Sequence, residues 1–65
     1  MEVNVEKLKA LRVDKGWSIR QLAQQAGVSQ TTVWKIENGG GANAATLKKL
    51  GDALGIRASE LLQER

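Results

Sequence analysis

Neither cysteine nor histidine occurs among the 65 residues. Their absence excludes disulfide staples and the usual ligands of a structural zinc site. It also removes the nucleophile and base pairs of Cys- or His-dependent catalysis. No paired-carboxylate or phosphate-loop motif replaces them, so neither an enzyme nor a bound cofactor or metal is expected. No apolar run approaches the ~20 residues of a membrane span, and Met1-Glu2-Val3-Asn4 does not have the form of a signal peptide. A soluble, cytoplasmic chain without a membrane partner is the expectation. Proline, phenylalanine and tyrosine are also missing, while Leu, Ala, Gln, Lys and Glu are abundant. That balance favours helix over strand.

What is present must fold as one domain, residues 1–65, near the lower size limit for independent folding. With no covalent or metal staple, tight helix packing or self-association has to hold it together. The net charge of +3 is modest, but its distribution is uneven. Lys7, Lys9, Arg12, Lys15, Arg20 and Lys35 face only Asp14 in the stretch they span, whereas beyond Lys35 the charges balance. A basic half beside a neutral one suits contact with a polyanion, although a merely solvated basic surface has the same composition.

Glycines at positions 16, 27, 39 and 55 each follow a stretch with helical apolar spacing and suit the residue just past a helix end. They divide the chain into five predicted helices. The first runs from Val5 to Lys15 with Leu8, Leu11 and Val5 inward. The second runs from Ile19 to Ala26 with Leu22 and Ala23 inward, opened by the capping box Ser18-Ile19-Arg20-Gln21. The third runs from Gln30 to Glu37, capped by Ser29, with Val33 and Ile36 inward. The fourth runs from Ala44 to Leu54, with Asn43 as a candidate cap and Leu47, Leu50 and Leu54 on one stripe. The fifth, Ala58 to Gln63, offers Leu61 and Leu62 but has Arg57 where a cap belongs. Gly39-Gly40-Gly41 reads as a flexible loop between helices three and four.

The link Gly27-Val28-Ser29 fixes the geometry of the middle pair. Two short helices joined by so few residues cannot lie antiparallel and must cross steeply, as in a helix-turn-helix. Ala23 falls where the two approach closest. An ordinary helical corner is the blander alternative.

Leu11-Arg12, Gly16-Trp17-Ser18, Leu22-Ala23, Gly27-Val28-Ser29, Val33 and Ile36-Glu37-Asn38-Gly39 together decide between them. With Thr46-Leu47, Leu50 and Ala53-Leu54-Gly55-Ile56, their order and spacing resemble the phage-repressor (Cro/C1, or XRE-type) helix-turn-helix family. The resemblance extends from about Leu8 to Leu62. It implies an all-α, lambda-repressor-like bundle of five helices, with residues 18–39 as the helix-turn-helix. It also implies double-stranded DNA as partner, with helix three in the major groove and two copies on a palindromic operator.

The helix-three wheel supplies chemistry for that role. With Val33 and Ile36 turned inward, Gln30, Thr31, Trp34 and Lys35 project outward as the base-contacting candidates. Gln suits the N6/N7 edge of adenine, a Thr methyl suits thymine, and Lys donates to guanine or phosphate. Three placements are open for Trp34: against thymine methyls or sugar, folded over the glycine loop, or in a protein contact. Trp17 matches a family position that is usually aliphatic core. Carried over from the resemblance, Arg12, Ser18, Arg20, Ser29, Asn38, Gly40 and Asn43 are the backbone-contacting candidates. Arg12 and Glu37 match the family's bridge from helix one to the end of helix three.

Two departures from the family imply weaker or differently anchored phosphate clamping. Ile19 stands where Gln is common, and Gly40-Gly41-Ala42 stands where Lys or Arg is frequent. The resemblance implies a transcriptional regulator, most simply a repressor. The alternative is an antitoxin or other protein-interaction module that also binds its own operator, and an unknown protein partner belongs to that alternative. For self-association, Ile56, Leu61 and Leu62 are the expected contact, through helix five and the turn before it, assembled largely on DNA.

Overall fold

The structure, a computed structural model, describes residues 1–63. Four α-helices follow in order: α1 (Val5–Asp14), α2 (Ile19–Ala26), α3 (Gln30–Glu37) and α4 (Ala44–Leu54). A side-chain oxygen caps the start of each. Asn4, Ser18, Ser29 and Asn43 accept from the backbone N–H of Lys7, Gln21, Thr32 and Thr46. Each cap satisfies one of the orphan donors of a first helical turn and contributes about 1 kcal/mol.

The helix ends are equally explicit. At the end of α2, Gly27 donates to the carbonyl of Gln24 and Val28 to that of Ala23. This paired closure requires a left-handed residue, and Gly27 supplies it at φ 72° without a Cβ penalty. The same two-bond pattern closes α1, α3 and α4.

The core is one cluster in which Leu8, Leu22, Val33, Ile36, Leu47, Leu50 and Leu61 have essentially no exposure. Trp17, Leu11 and Ile19 are partly buried against it. Ala23 is buried within α2. Gly51, inside α4, is buried as well, and a Cβ there would lie 2.9 Å from the carbonyl oxygen of Ile56. A helix-weakening glycine therefore lets the chain double back closely after α4.

The fifth helix expected from Ala58 to Gln63 is instead one turn of 3₁₀-helix, Ala58–Leu61. Arg57 offers no side-chain oxygen to its first turn; only the converse contact forms, with Arg57 N–H donating to Glu60 Oε2 at 2.9 Å. The chain then turns extended at Leu62, which forms an antiparallel bridge with Val3. Asn4 N–H donates to the Leu61 carbonyl at 2.7 Å and Gln63 N–H to that of Glu2 at 3.2 Å. Backbone groups that would have prolonged a helix are spent on this bridge. It is the only extended pairing among the described residues, and it is too short to be a strand.

The glycine loop is also not the free linker its composition suggests. Gly40 N–H donates to the Lys35 carbonyl at 2.8 Å, and Ala42 N–H donates to the Met1 carbonyl at 3.0 Å. Both ends of the loop are tied, one to α3 and one to the N-terminal segment.

Candidate nucleic-acid interface

The wheel of α3 is split cleanly. Val33, Ile36 and Glu37 are buried, whereas Gln30, Thr31, Trp34, Lys35 and Asn38 are exposed. At about 100° per residue the exposed five occupy one arc of roughly 140°. Among the described residues, no hydrogen bond within the domain engages the side chains of Gln30, Thr31, Trp34 or Lys35. Asn38 differs, because its Nδ2 folds back to donate to the Trp34 carbonyl at 2.8 Å. Trp34 is 56 % exposed. It stands as a ridge between two concavities: a shallow one shared with Gln30 and Thr31, and a groove running under the glycine loop to Asn43 and Thr46.

Behind this face lies a short ionic bracket. Arg12 Nε donates to Glu37 Oε2 at 2.7 Å and Nη2 to Glu37 Oε1 at 3.0 Å, while Nη1 donates to the Trp17 carbonyl at 2.8 Å. The side chains are 16 % and 2 % exposed. Three N–H groups of one planar guanidinium thus fix the last turn of α3 to α1 and to the α1–α2 link. Little of Arg12 is left to face outward, so its placement favours the bracket over phosphate contact. The Trp17 carbonyl is a member of this bracket that no side-chain pattern announced.

The other backbone-contacting candidates are exposed and mark helix ends. Ser18 caps α2, Arg20 lies in its first turn, Ser29 caps α3, Asn38 closes α3, Gly40 lies in the loop, and Asn43 caps α4. Ser29 Oγ also shares a 2.7 Å hydrogen bond with Thr32 Oγ1, so Thr32 helps set the start of α3. Ser18, Ser29 and Asn43 already use an oxygen on their own helices. Their remaining polarity, and the first-turn N–H groups beside them, point to an anion-tolerant rim. Ile19, partly buried, packs on the core. Of the apolar residues near the C-terminal end, Leu61 is fully buried and unavailable for self-association, whereas Ile56 and Leu62 keep partial exposure.

An α2–turn–α3 unit of this kind, with a polar outward arc on the second helix, defines a helix-turn-helix domain. The chain belongs to the Cro/C1-type (XRE) helix-turn-helix family; the family profile, described as helix-turn-helix, matches residues 8–61. It is 45 % identical over 58 residues to an HTH-type transcriptional repressor, RghR of Bacillus subtilis (strain 168), covering 86 % of this chain and 43 % of that protein. The crystal structure of SinR, a master regulator for biofilm formation, in complex with DNA superimposes with a TM-score of 0.80 or more, at 0.82. The identity is 28 %, over 91 % of this chain and 97 % of that one. A SinR protein/SinI protein complex gives 0.80 at 31 % identity, over 92 % and 60 % of the two chains. The chain spans 43 % and 58 % of the curated relatives it matches.

Proposed function

We propose that residues 1–65 form a single domain that binds double-stranded DNA sequence-specifically, as the operator-reading part of a transcriptional repressor. The observation that carries this reading is the outward arc of α3. Gln30, Thr31, Trp34 and Lys35 are exposed together on a helix whose opposite side is locked by Val33, Ile36 and the Arg12–Glu37 bracket. Such a helix presents an unoccupied set of donors, acceptors and apolar surface at a fixed angle, which is what reading base edges requires. The resemblance to a DNA-bound regulator supports it.

In this reading Gln30 pairs with adenine, Lys35 donates to guanine or phosphate, and Ser18, Arg20, Ser29, Asn38, Gly40 and Asn43 rim the groove against the backbone. The working compartment is the cytoplasm, at the chromosome. One helix reads only a few base pairs, so two copies on a palindromic site supply the affinity. Ile56 and Leu62 are the apolar residues left for the contact between them. A protein partner is the second reading, supported by the SinR–SinI complex among the similar structures.

Selection of bound duplexes from random DNA, followed by competition against scrambled sequence, tests the primary reading. An enriched, inverted-repeat motif is expected. Equal affinity for every duplex would reject it.

A further inference from the structure

Trp34 is the largest side chain on the α3 arc and the least explained. Among the described residues only Met1, Val13 and Trp34 are large apolar side chains with wide exposure, and only Trp34 lies on this face. Its neighbours on the arc are polar: Gln30, Thr31, Lys35 and Asn38. A lone indole ringed by polar groups is far short of the ~800 Å² per partner of a standard protein interface. A second protein is thus a poor match for it.

The chemistry of the major groove narrows the choice. Base faces are stacked and out of reach, so a helix in the groove meets only base edges. Those edges carry hydrogen-bonding atoms, with one apolar exception, the 5-methyl group of thymine. The concavity beside the indole is lined by Gln30, Thr31 and Trp34 together. It therefore combines a Thr methyl, an aromatic ring and a carboxamide suited to adenine. We propose that these three side chains read one A·T-containing step as a unit, with the thymine 5-methyl seated between Thr31 and Trp34. That thymine lies at, or one base pair from, the adenine that Gln30 contacts. The inference rests on the reading of α3 as a major-groove element and assigns Trp34 a specificity-determining part in it.

The test uses a selected duplex in which each thymine in turn is replaced by deoxyuridine, which removes only the methyl. Fluorescence anisotropy then compares the unsubstituted protein with Trp34→Ala, Trp34→Phe and Gln30→Ala. One thymine per half-site should show about a fourfold loss on methyl removal, the value of one buried methyl(ene) group. Trp34→Ala should abolish the thymine/deoxyuridine difference at that position, and Trp34→Phe should retain part of it. The sensitive thymine should coincide with, or adjoin, the base pair whose preference relaxes in Gln30→Ala. Since Trp34 is outside the core, circular dichroism and thermal melting of the Trp34 variants should match the parent.

A flat deoxyuridine scan overturns the inference, while a sequence preference that depends on Gln30 would still leave the major-groove reading intact. Retained discrimination in Trp34→Ala also overturns it, including the case where affinity falls equally on both duplexes because the ring packs on sugar. Failure to select any duplex sinks both readings together.

Discussion

The guanidinium of Arg12 and the carboxylate of Glu37 meet side-on through two hydrogen bonds, at 2.7 and 3.0 Å, across 25 residues of sequence. The carboxylate is almost fully buried, so its charge has no solvent to fall back on. Removing Arg12 strands that charge, which is worse than never having placed it there. Arg12→Ala should therefore cost about 3 kcal/mol of stability, at the low end for a buried pair because the guanidinium keeps an exposed edge. A double-mutant cycle with Glu37→Gln, read by urea denaturation, should show coupling above 0.5 kcal/mol in size, roughly the threshold for residues in contact. Additive effects would dispose of the bracket as an energetic unit.

Gln30→Ala should leave stability unchanged, because the side chain is exposed and makes no hydrogen bond within the domain. Its effect should fall on DNA: a loss of about 1–3 kcal/mol on the preferred site and relaxed preference at one base pair. Binding titrations against a site and its single-base variants measure both. Unchanged affinity with an unchanged preference would mean that α3 presents a different arc.

Gly51→Ala tests packing against propensity. Alanine in a helix interior is favoured over glycine by about 1 kcal/mol. Here, however, the new Cβ would sit 2.9 Å from the Ile56 carbonyl oxygen and 3.1 Å from the Ala58 nitrogen, both backbone atoms that can move only by shifting the chain. Overpacking of that kind costs about 1–3 kcal/mol, so the net change should be destabilising. A raised melting temperature would show that the turn after α4 relaxes freely.

Assembly can be separated from folding by comparing two positions. Leu61 is fully buried, and Leu61→Ala should lower stability by about 2–5 kcal/mol whatever the oligomeric state. Ile56 is only partly buried, and Ile56→Asp should reduce the cooperativity of two copies on one inverted repeat more than it reduces folding. Sedimentation with and without the duplex, alongside thermal melting, reads the two effects apart. Two copies of a folded Ile56→Asp protein binding with undiminished cooperativity would move the contact elsewhere.

The four α-helices were legible because each carries its own punctuation. Ser18, Ser29 and Asn43 sit at the starts, glycines sit just past the ends, and Leu or Val recurs at three- and four-residue spacing between them. The fifth segment departs from its helical spacing for a physical reason. Its apolar pair, Leu61 and Leu62, fits a helix by spacing, but Leu62 finds a backbone partner in Val3 at the other end of the chain. No local pattern encodes such a pairing. The tie between Ala42 and Met1 is hidden in the same way, so three glycines in a row suggest a looseness that this bond and the Gly40-to-Lys35 bond oppose. The exposed arc of α3 followed from the wheel, whereas Arg12 and Glu37 were singled out through family resemblance. Charge spacing alone gives no reason to pair residues so far apart. The role of Gly51 is not legible in the sequence, because a glycine inside a helical run signals nothing until its neighbour in space is known.

The bridge between Val3 and Leu62, with the Gln63-to-Glu2 bond beside it, pairs backbone groups from opposite sides of all four helices in the sequence. Closing so long a loop carries an entropic cost that a single ladder rung does not repay until the helices have already drawn the ends together. It should thus form late and open early, by a fluctuation that leaves the helical core intact. Met1 directly precedes the bridged segment and its carbonyl accepts from Ala42, so each opening should also loosen one tether of the segment between α3 and α4. Amide exchange at Ala42 should then follow that at Asn4 and Gln63 rather than that of the core amides. The stiffness of the loop that follows α3 should thus depend on residues that precede α1.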